Sequence, residues 1–161
     1  MKSLALALGV AVTAVAQGVD AQSSVPGLEG AWRVVEVDYS GPGARTVESP
    51  QPGLLLFTGR HYSYTFVTSE GPRQPLPPGP ATPEALATVW NPFTANAGTF
   101  EVSGSTMTRR PIVAKSPDAM APGAFNQYSF RLTADTLWMT TTATEGGPVR
   151  NASTVRYVRV R

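Results

Sequence analysis

The stretches FEVSGSTM (residues 100–107) and FRLTADTL (130–137) set an aromatic, an aliphatic, a hydroxyl, a turn pair and a threonine in the same order. Each reads as two strands joined by a tight turn, at Gly104-Ser105 and at Ala134-Asp135. Apolar alternation stops at turn-favouring residues there and resumes directly after them. A chain that repeats such a hairpin is committed to antiparallel pairing, because parallel neighbours need a long crossover between them.

Further runs rich in Val, Thr, Phe, Tyr and Leu, bounded by Gly, Pro, Asn, Asp or Ser, complete a set of candidate strands: 31–39, 53–58, 60–67, 97–103, 106–113, 125–133, 136–143 and 153–160. Only TPEALATVW, Thr82 to Trp90, reads as helix, with a threonine N-cap, proline at the first position and Glu84 in the first turn. The connections alternate in length. They are tight near Thr58-Gly59, Gly104-Ser105 and Ala134-Asp135, and long at 40–52, 68–96, 114–124 and 144–152. Strands running up and down in order then gather the short turns at one end and the long loops at the other. The expected fold is all-β: an eight-stranded up-and-down antiparallel barrel, shaped as a cup, with one short helix in the long loop between strands 3 and 4. The Pro-rich stretch GPRQPLPPGPATPEALATVW is placed to form a rim or lid.

Composition narrows what the cup can do. The chain begins MKSLALALGVAVTAVAQGVDAQSS, with Lys2 as a basic n-region, Leu4 to Ala16 as an apolar core, and small residues for cleavage near Ala16 or Ala21. This pattern predicts a signal peptide over 1–21 and export of a barrel domain over 22–161, periplasmic or extracellular. No other run is long and apolar enough for a bilayer span, so no stable membrane anchor is expected. The absence of cysteine excludes a thiolate metal centre and a lipid-anchored N-terminus, and a single histidine excludes a multi-histidine zinc site. The 13 Lys and Arg and 11 Asp and Glu are scattered, without the basic block that nucleic acid requires. No nucleophile elbow, phosphate-binding loop or paired carboxylates occur, so neither a catalytic residue nor a metal or cofactor is indicated.

GAWRVVEV, residues 30–37, opens the first strand with glycine, a spacer and tryptophan. Gly30 allows a tight entry where a side chain would obstruct it. Trp32 then fills the closed end, and Arg159, finishing the last strand at the same end, is the cation expected to stack on its ring. This G-x-W with an arginine from the end of the chain resembles the lipocalin and calycin barrels. WNPFTANAGTFEVSGSTMTRRPIVA (90–114), GLLLFTGRHYS (53–63) and YSFRLTADTLWM (128–139) more specifically resemble bacterial lipocalin-like domain proteins. The resemblance implies an eight-stranded calyx able to hold a small apolar molecule, and it brings no established activity. The chain departs from the better-known lipocalins in lacking their Thr-Asp-Tyr turn and their disulfides.

Strand parity selects the lining. A two-residue turn at Gly104-Ser105 sets Val102 opposite Met107 and Phe100 opposite Arg109, on the apolar and hence inward face, with Arg110 outside. A cation so placed needs a partner. Three fates are open to Arg109: gripping the carboxylate, sulfate or phosphate of an amphipathic ligand; pairing internally with Glu36, on the face of Trp32; or reaching water along its stem. In HYSYTF, residues 61–66, Tyr62, Tyr64 and Phe66 form the inward face, and His61 points out near the bottom turn, as an exposed structural histidine rather than an acid–base group or haem ligand. The second hairpin turns Tyr128, Phe130, Leu132, Leu137 and Met139 inward and pairs Arg131 with Trp138 outside. Trp90, Phe93 and Met120 fall at the rim.

The expected function is an exported barrel that binds a small apolar or amphipathic ligand, lined by Tyr62, Tyr64, Phe66, Phe100, Arg109 and Phe130 over a floor of Gly30, Trp32 and Arg159. The alternatives are an isomerase or cyclase acting on a lipid-like substrate through His61, Arg109 or a tyrosine hydroxyl, or a filled barrel whose loop face meets another protein.

Overall fold

The computed structural model describes residues 25–76 and 78–161; the signal-like segment lies outside them. The chain forms β1 (Gly30–Tyr39), β2 (Arg45–Val47), β3 (Gly53–Thr58), β4 (His61–Val67), α1 (Pro83–Trp90), β5 (Phe93–Ser103), β6 (Thr106–Ala114), a 3₁₀ turn (Pro117–Met120), β7 (Asn126–Leu132), β8 (Thr136–Thr144), β9 (Gly147–Pro148) and β10 (Ser153–Arg159). Leaving aside the short β2 and β9, each strand pairs antiparallel with the next, and β10 closes the ring by pairing with both β8 and β1. The result is a closed eight-stranded up-and-down barrel.

The tight turns between β3 and β4, β5 and β6, and β7 and β8 share one end. The long connections at the other end carry the elements that composition did not reveal: β2, the 3₁₀ turn and β9. α1 starts as expected, with the Thr82 side chain accepting a hydrogen bond from the Ala85 amide at 3.2 Å. β5 begins at Phe93, four residues before the expected 97. Phe93 to Asn96 read as loop because Asn, Pro and Ala surround them, but β4 offers a full ladder from Val67 opposite Phe93 downward.

The closed end is packed with large apolar side chains. Trp32, Leu55, Met107 and Leu137 have no exposure at all, and Leu28, Phe57 and Met139 are buried around them. Burial of side chains of this size stabilises by roughly 1.5–3 kcal/mol each. The segment before β1 crosses this end, and the Trp32 indole donates to the Leu28 carbonyl at 2.8 Å. Arg159 lies 4.1 Å from the centre of the Trp32 ring, donates to the carbonyls of Glu29 (2.8 Å) and Ala134 (3.2 Å), and also holds the Gly27 carbonyl. Gly30 adopts φ of +120°, and a Cβ there would stand 2.8 Å from an Arg159 nitrogen. The obstruction that Gly30 avoids is therefore Arg159 itself.

Candidate functional site

The β5–β6 hairpin has the expected register, with Val102 opposite Met107 and Phe100 opposite Arg109. Arg109 is only 4% exposed, whereas Arg110 lies outside, 3.6 Å from the Glu101 carboxylate. The same position in the sister hairpin, two residues beyond Leu137, is the buried Met139. A charge thus stands where the repeat has an apolar side chain.

Tyrosines surround this charge. The Arg109 guanidinium lies 4.1 Å from the ring centre of Tyr128, 4.9 Å from Tyr62 and 5.4 Å from Tyr64. Such contacts favour a cation, most strongly where water is excluded. Desolvation opposes the charge, but the phenols of Tyr128, Tyr157 and Tyr62 outweigh it, and the guanidinium keeps its proton. Burial pushes the Tyr62 phenol up to about 12 against the opposing pull of Arg109, and raises Tyr64 and Tyr157 well above the ordinary phenol range. All three are neutral hydroxyls at physiological pH.

The expected internal partner is elsewhere. Glu36 does not share the face of Trp32, because a bulge between Val34 and Glu36 leaves Val35 unmatched in the ladder with β10. The extra residue reverses the parity of β1, so that Val37 turns inward and Glu36 outward. Glu36 accepts both hydrogen bonds of a bidentate pair from Arg156, at 3.1 and 2.6 Å. Arg109 is left with Nε and Nη1 buried and without hydrogen-bond partners among the described residues, as is the Tyr62 hydroxyl.

Arg109 also marks a boundary along the barrel axis. At its level and below, inward residues are large: the buried Phe100, opposite Arg109, packs edge-on against Phe57 at 4.9 Å, and the partly buried Phe130 sits opposite Met139. Above it, inward residues are small or polar. The cross-strand neighbours of Arg109 and Tyr64 are Asn126, then Thr144, and Asn96, then Ala114. All four are partly exposed although their face is the inner one. At the mouth a cavity of ≈ 250 Å³ opens between Val37, Tyr39, Val47 and Phe66, with Arg45 and Glu70 also in its wall. Inward side chains are large and mostly buried up to the level of Arg109, and smaller and partly exposed above it.

Of the residues singled out from sequence, Tyr62, Tyr64 and Arg109 come together, Phe66 stands above them towards the mouth, and Phe100 and Phe130 belong to the packed lower half. Gly30, Trp32 and Arg159 form the floor. Trp90 and Met120 are exposed at the rim, and Phe93 faces outward, 6.4 Å from Trp90. His61 is exposed beside the bottom turn. Arg131 stacks on Trp138 at 3.4 Å. Tyr128, inward as the second hairpin places it, and Tyr157 complete the cage; Tyr157 was not singled out from sequence, although it shares the face of Arg159 two residues on and was legible on that ground. Among the described residues, no group of three or more His, Asp or Glu side chains gathers to hold a metal ion.

No protein-family model matches the chain, and no curated protein matches it in sequence. Among solved structures it is similar to a lipocalin-like protein from Bacteroides uniformis, at 11% identity and a TM-score of 0.48, over 83% of this chain and 98% of that one. A second is an uncharacterized protein from Bacteroides eggerthii, at 10% identity and a TM-score of 0.44, over 82% of this chain and 98% of that one. The strand order and closure of this chain are those of an eight-stranded up-and-down antiparallel barrel.

Proposed function

We propose that this protein is a small-molecule-binding barrel whose ligand is an amphipathic anion, received head first by Arg109. The observation that carries the reading is a buried guanidinium with two unsatisfied N–H positions and no carboxylate among the groups that act on its charge. Leaving buried donors unmatched costs about 1–3 kcal/mol each, more for a charged group. An anionic head group would remove that cost, with the Tyr62 hydroxyl as a further donor. The apolar part of the ligand would run past Tyr64 and Phe66, whose rings are 6.3 Å apart, into the cavity at the mouth. Tyr64 and Tyr128, both half-buried, pack their rings against the guanidinium, so ring rotation would accompany binding. The signal-like N-terminus supports a site of action outside the cytoplasm.

A catalytic barrel draws no comparable support. His61 lies outside the cup, and the phenols of Tyr62, Tyr64 and Tyr157 are held protonated, which suits donors of hydrogen bonds rather than bases.

Native mass spectrometry of the protein from its own host, followed by denaturing extraction, tests occupancy. The expected result is a stoichiometric organic anion. Dodecanoate titrated into wild type and Arg109→Met tests the anchor: affinity at the calyx should fall by about tenfold or more, as expected for a lost charged hydrogen bond. Equal affinity in both proteins would sink the reading.

A further inference from the structure

The barrel wall is incomplete at one place. β1 pairs with β3 only as far as Arg33 opposite Leu54, and from Val37 onward it pairs with β2 instead. No ladder joins β1 to β3 across the intervening residues, which include the bulged Val35. Side chains close the gap. Val34 and Phe66 meet over Gly53, where a Cβ would stand 2.7 Å from Val34 and 2.4 Å from Phe66. The lack of a side chain at residue 53 is what seats the Phe66 ring in the opening.

Outside the gap runs a groove of ≈ 480 Å³, within the range of small-molecule sites. Its walls include the outward side chains of Leu54, Val67, Phe93 and Val160, together with Pro50 and Pro52. Val34 and Phe66 also line it, although their strands turn them to the inner face. Phe66, Pro50 and Val67 border the cavity at the mouth as well, so this thin partition divides the outer groove from the calyx. The charged residue on the groove is Arg33. It is exposed, and its side chain forms no hydrogen bond or ion pair among the described residues.

We propose that this groove is a second ligand site, taking the alkyl chain of a single-chain anionic amphiphile against Leu54, Phe66 and Phe93 with its head group at Arg33. An apolar trough suits a flexible chain, and a free cation at its border with no acid in the lining complements an anionic head. The site is independent of the Arg109 anchor, because no residue of the tyrosine cage lines it.

Calorimetric titration with dodecanoate below its micelle concentration separates the two sites. Wild type should bind two equivalents. Leu54→Asp should weaken one of them by about tenfold, and Arg33→Glu should weaken the same one by about fivefold. Arg109→Met should remove the other and leave the groove unchanged. A single equivalent that ignores Leu54→Asp and Arg33→Glu, or two that both ignore them, overturns the groove. Indifference to Arg109→Met overturns the calyx anchor and leaves the groove standing. Leu54 and Arg33 are exposed, so circular dichroism of the variants should match wild type. A Phe66→Trp reporter in the Arg109→Met background gives a second reading: its emission should shift on addition of dodecanoate, and an unchanged spectrum counts against the groove.

Discussion

The Arg109 guanidinium stands 4.1 Å from the centre of the Tyr128 ring, and every group that adds to its charge is a tyrosine. A buried charge held by ring faces and a Tyr128 hydrogen bond, with no carboxylate beside it, is incompletely compensated, because these return only part of the free energy that water supplied. The sister hairpin shows that methionine packs at the equivalent position, Met139. Arg109→Met should therefore leave the fold intact and raise its stability by about 1–3 kcal/mol in denaturant titration. A loss of stability would mean that the charge is structurally required.

The cage phenols make stability fall at alkaline pH. Burial raises the pKa of Tyr62 to about 12, with Arg109 pulling the other way, and raises Tyr64 and Tyr157 further above the ordinary value. A raised folded-state pKa contributes stability that is fully present below the unfolded pKa, about 10 for a phenol, and is lost as pH rises through the folded value. Melting temperature should thus decline between about pH 10 and pH 12, with phenolate absorbance rising as the barrel unfolds. Ionisation of all five tyrosines near their ordinary value in a still-folded protein would contradict the cage.

Glu36 and Arg156 work at the acid end. The Arg156 hydrogen bond, opposed by partial desolvation and aided by its charge, holds the Glu36 carboxyl below its ordinary range. A depressed folded pKa contributes stability above the unfolded pKa that is lost as pH falls through the folded one. Wild type should lose melting temperature as pH falls below about 5, and Glu36→Gln should flatten that slope. Equal slopes in the two proteins would assign acid sensitivity to other carboxylates.

Gly30→Ala places a Cβ 2.8 Å from an Arg159 nitrogen at φ of +120°. Backbone strain of this kind costs about 1–3 kcal/mol. Because part of the cost is the clash, combining it with Arg159→Ala should be less harmful than the sum of the single changes. Strict additivity in denaturant titrations would leave the backbone angle as the whole cause.

Local signals made the barrel readable. The hairpin echo, the Gly104-Ser105 turn and the Thr82 cap act within a few residues, and each sits where its sequence placed it. The parity that buried Arg109 followed from one turn. Glu36 was misplaced because its side is decided by a bulge in β1 against β10, a strand from the far end of the chain, and VVEV carries no mark of it. Loop strands β2 and β9 were invisible for the same reason: three and two residues gain strand geometry only from the partner that receives them. The gap between β1 and β3 is a further consequence of β2, so the outer groove could not be read from the sequence.

Lys115 governs the rim. Its ammonium donates to the carbonyls of Trp90 (2.5 Å), Asn91 (3.2 Å) and Phe93 (2.7 Å) and lies 5.4 Å from the Trp90 ring centre. The end of α1 leaves carbonyls without helical partners, and a cation there is worth about 0.3–1 kcal/mol. α1 buries no side chain of its own, with Leu86 and Trp90 largely exposed, so little else holds its last turn beyond the bond from Arg73 to the Val89 carbonyl. Lys115→Met should speed amide exchange at Asn91, whose N–H closes the last turn on Ala87, while strand amides such as that of Phe100 stay protected. Melting of the barrel should be nearly unchanged, since the affected bonds lie at the rim. Unchanged exchange at Asn91 would show that the turn persists without the cation, and faster exchange at Phe100 would make Lys115 part of the barrel's own stability.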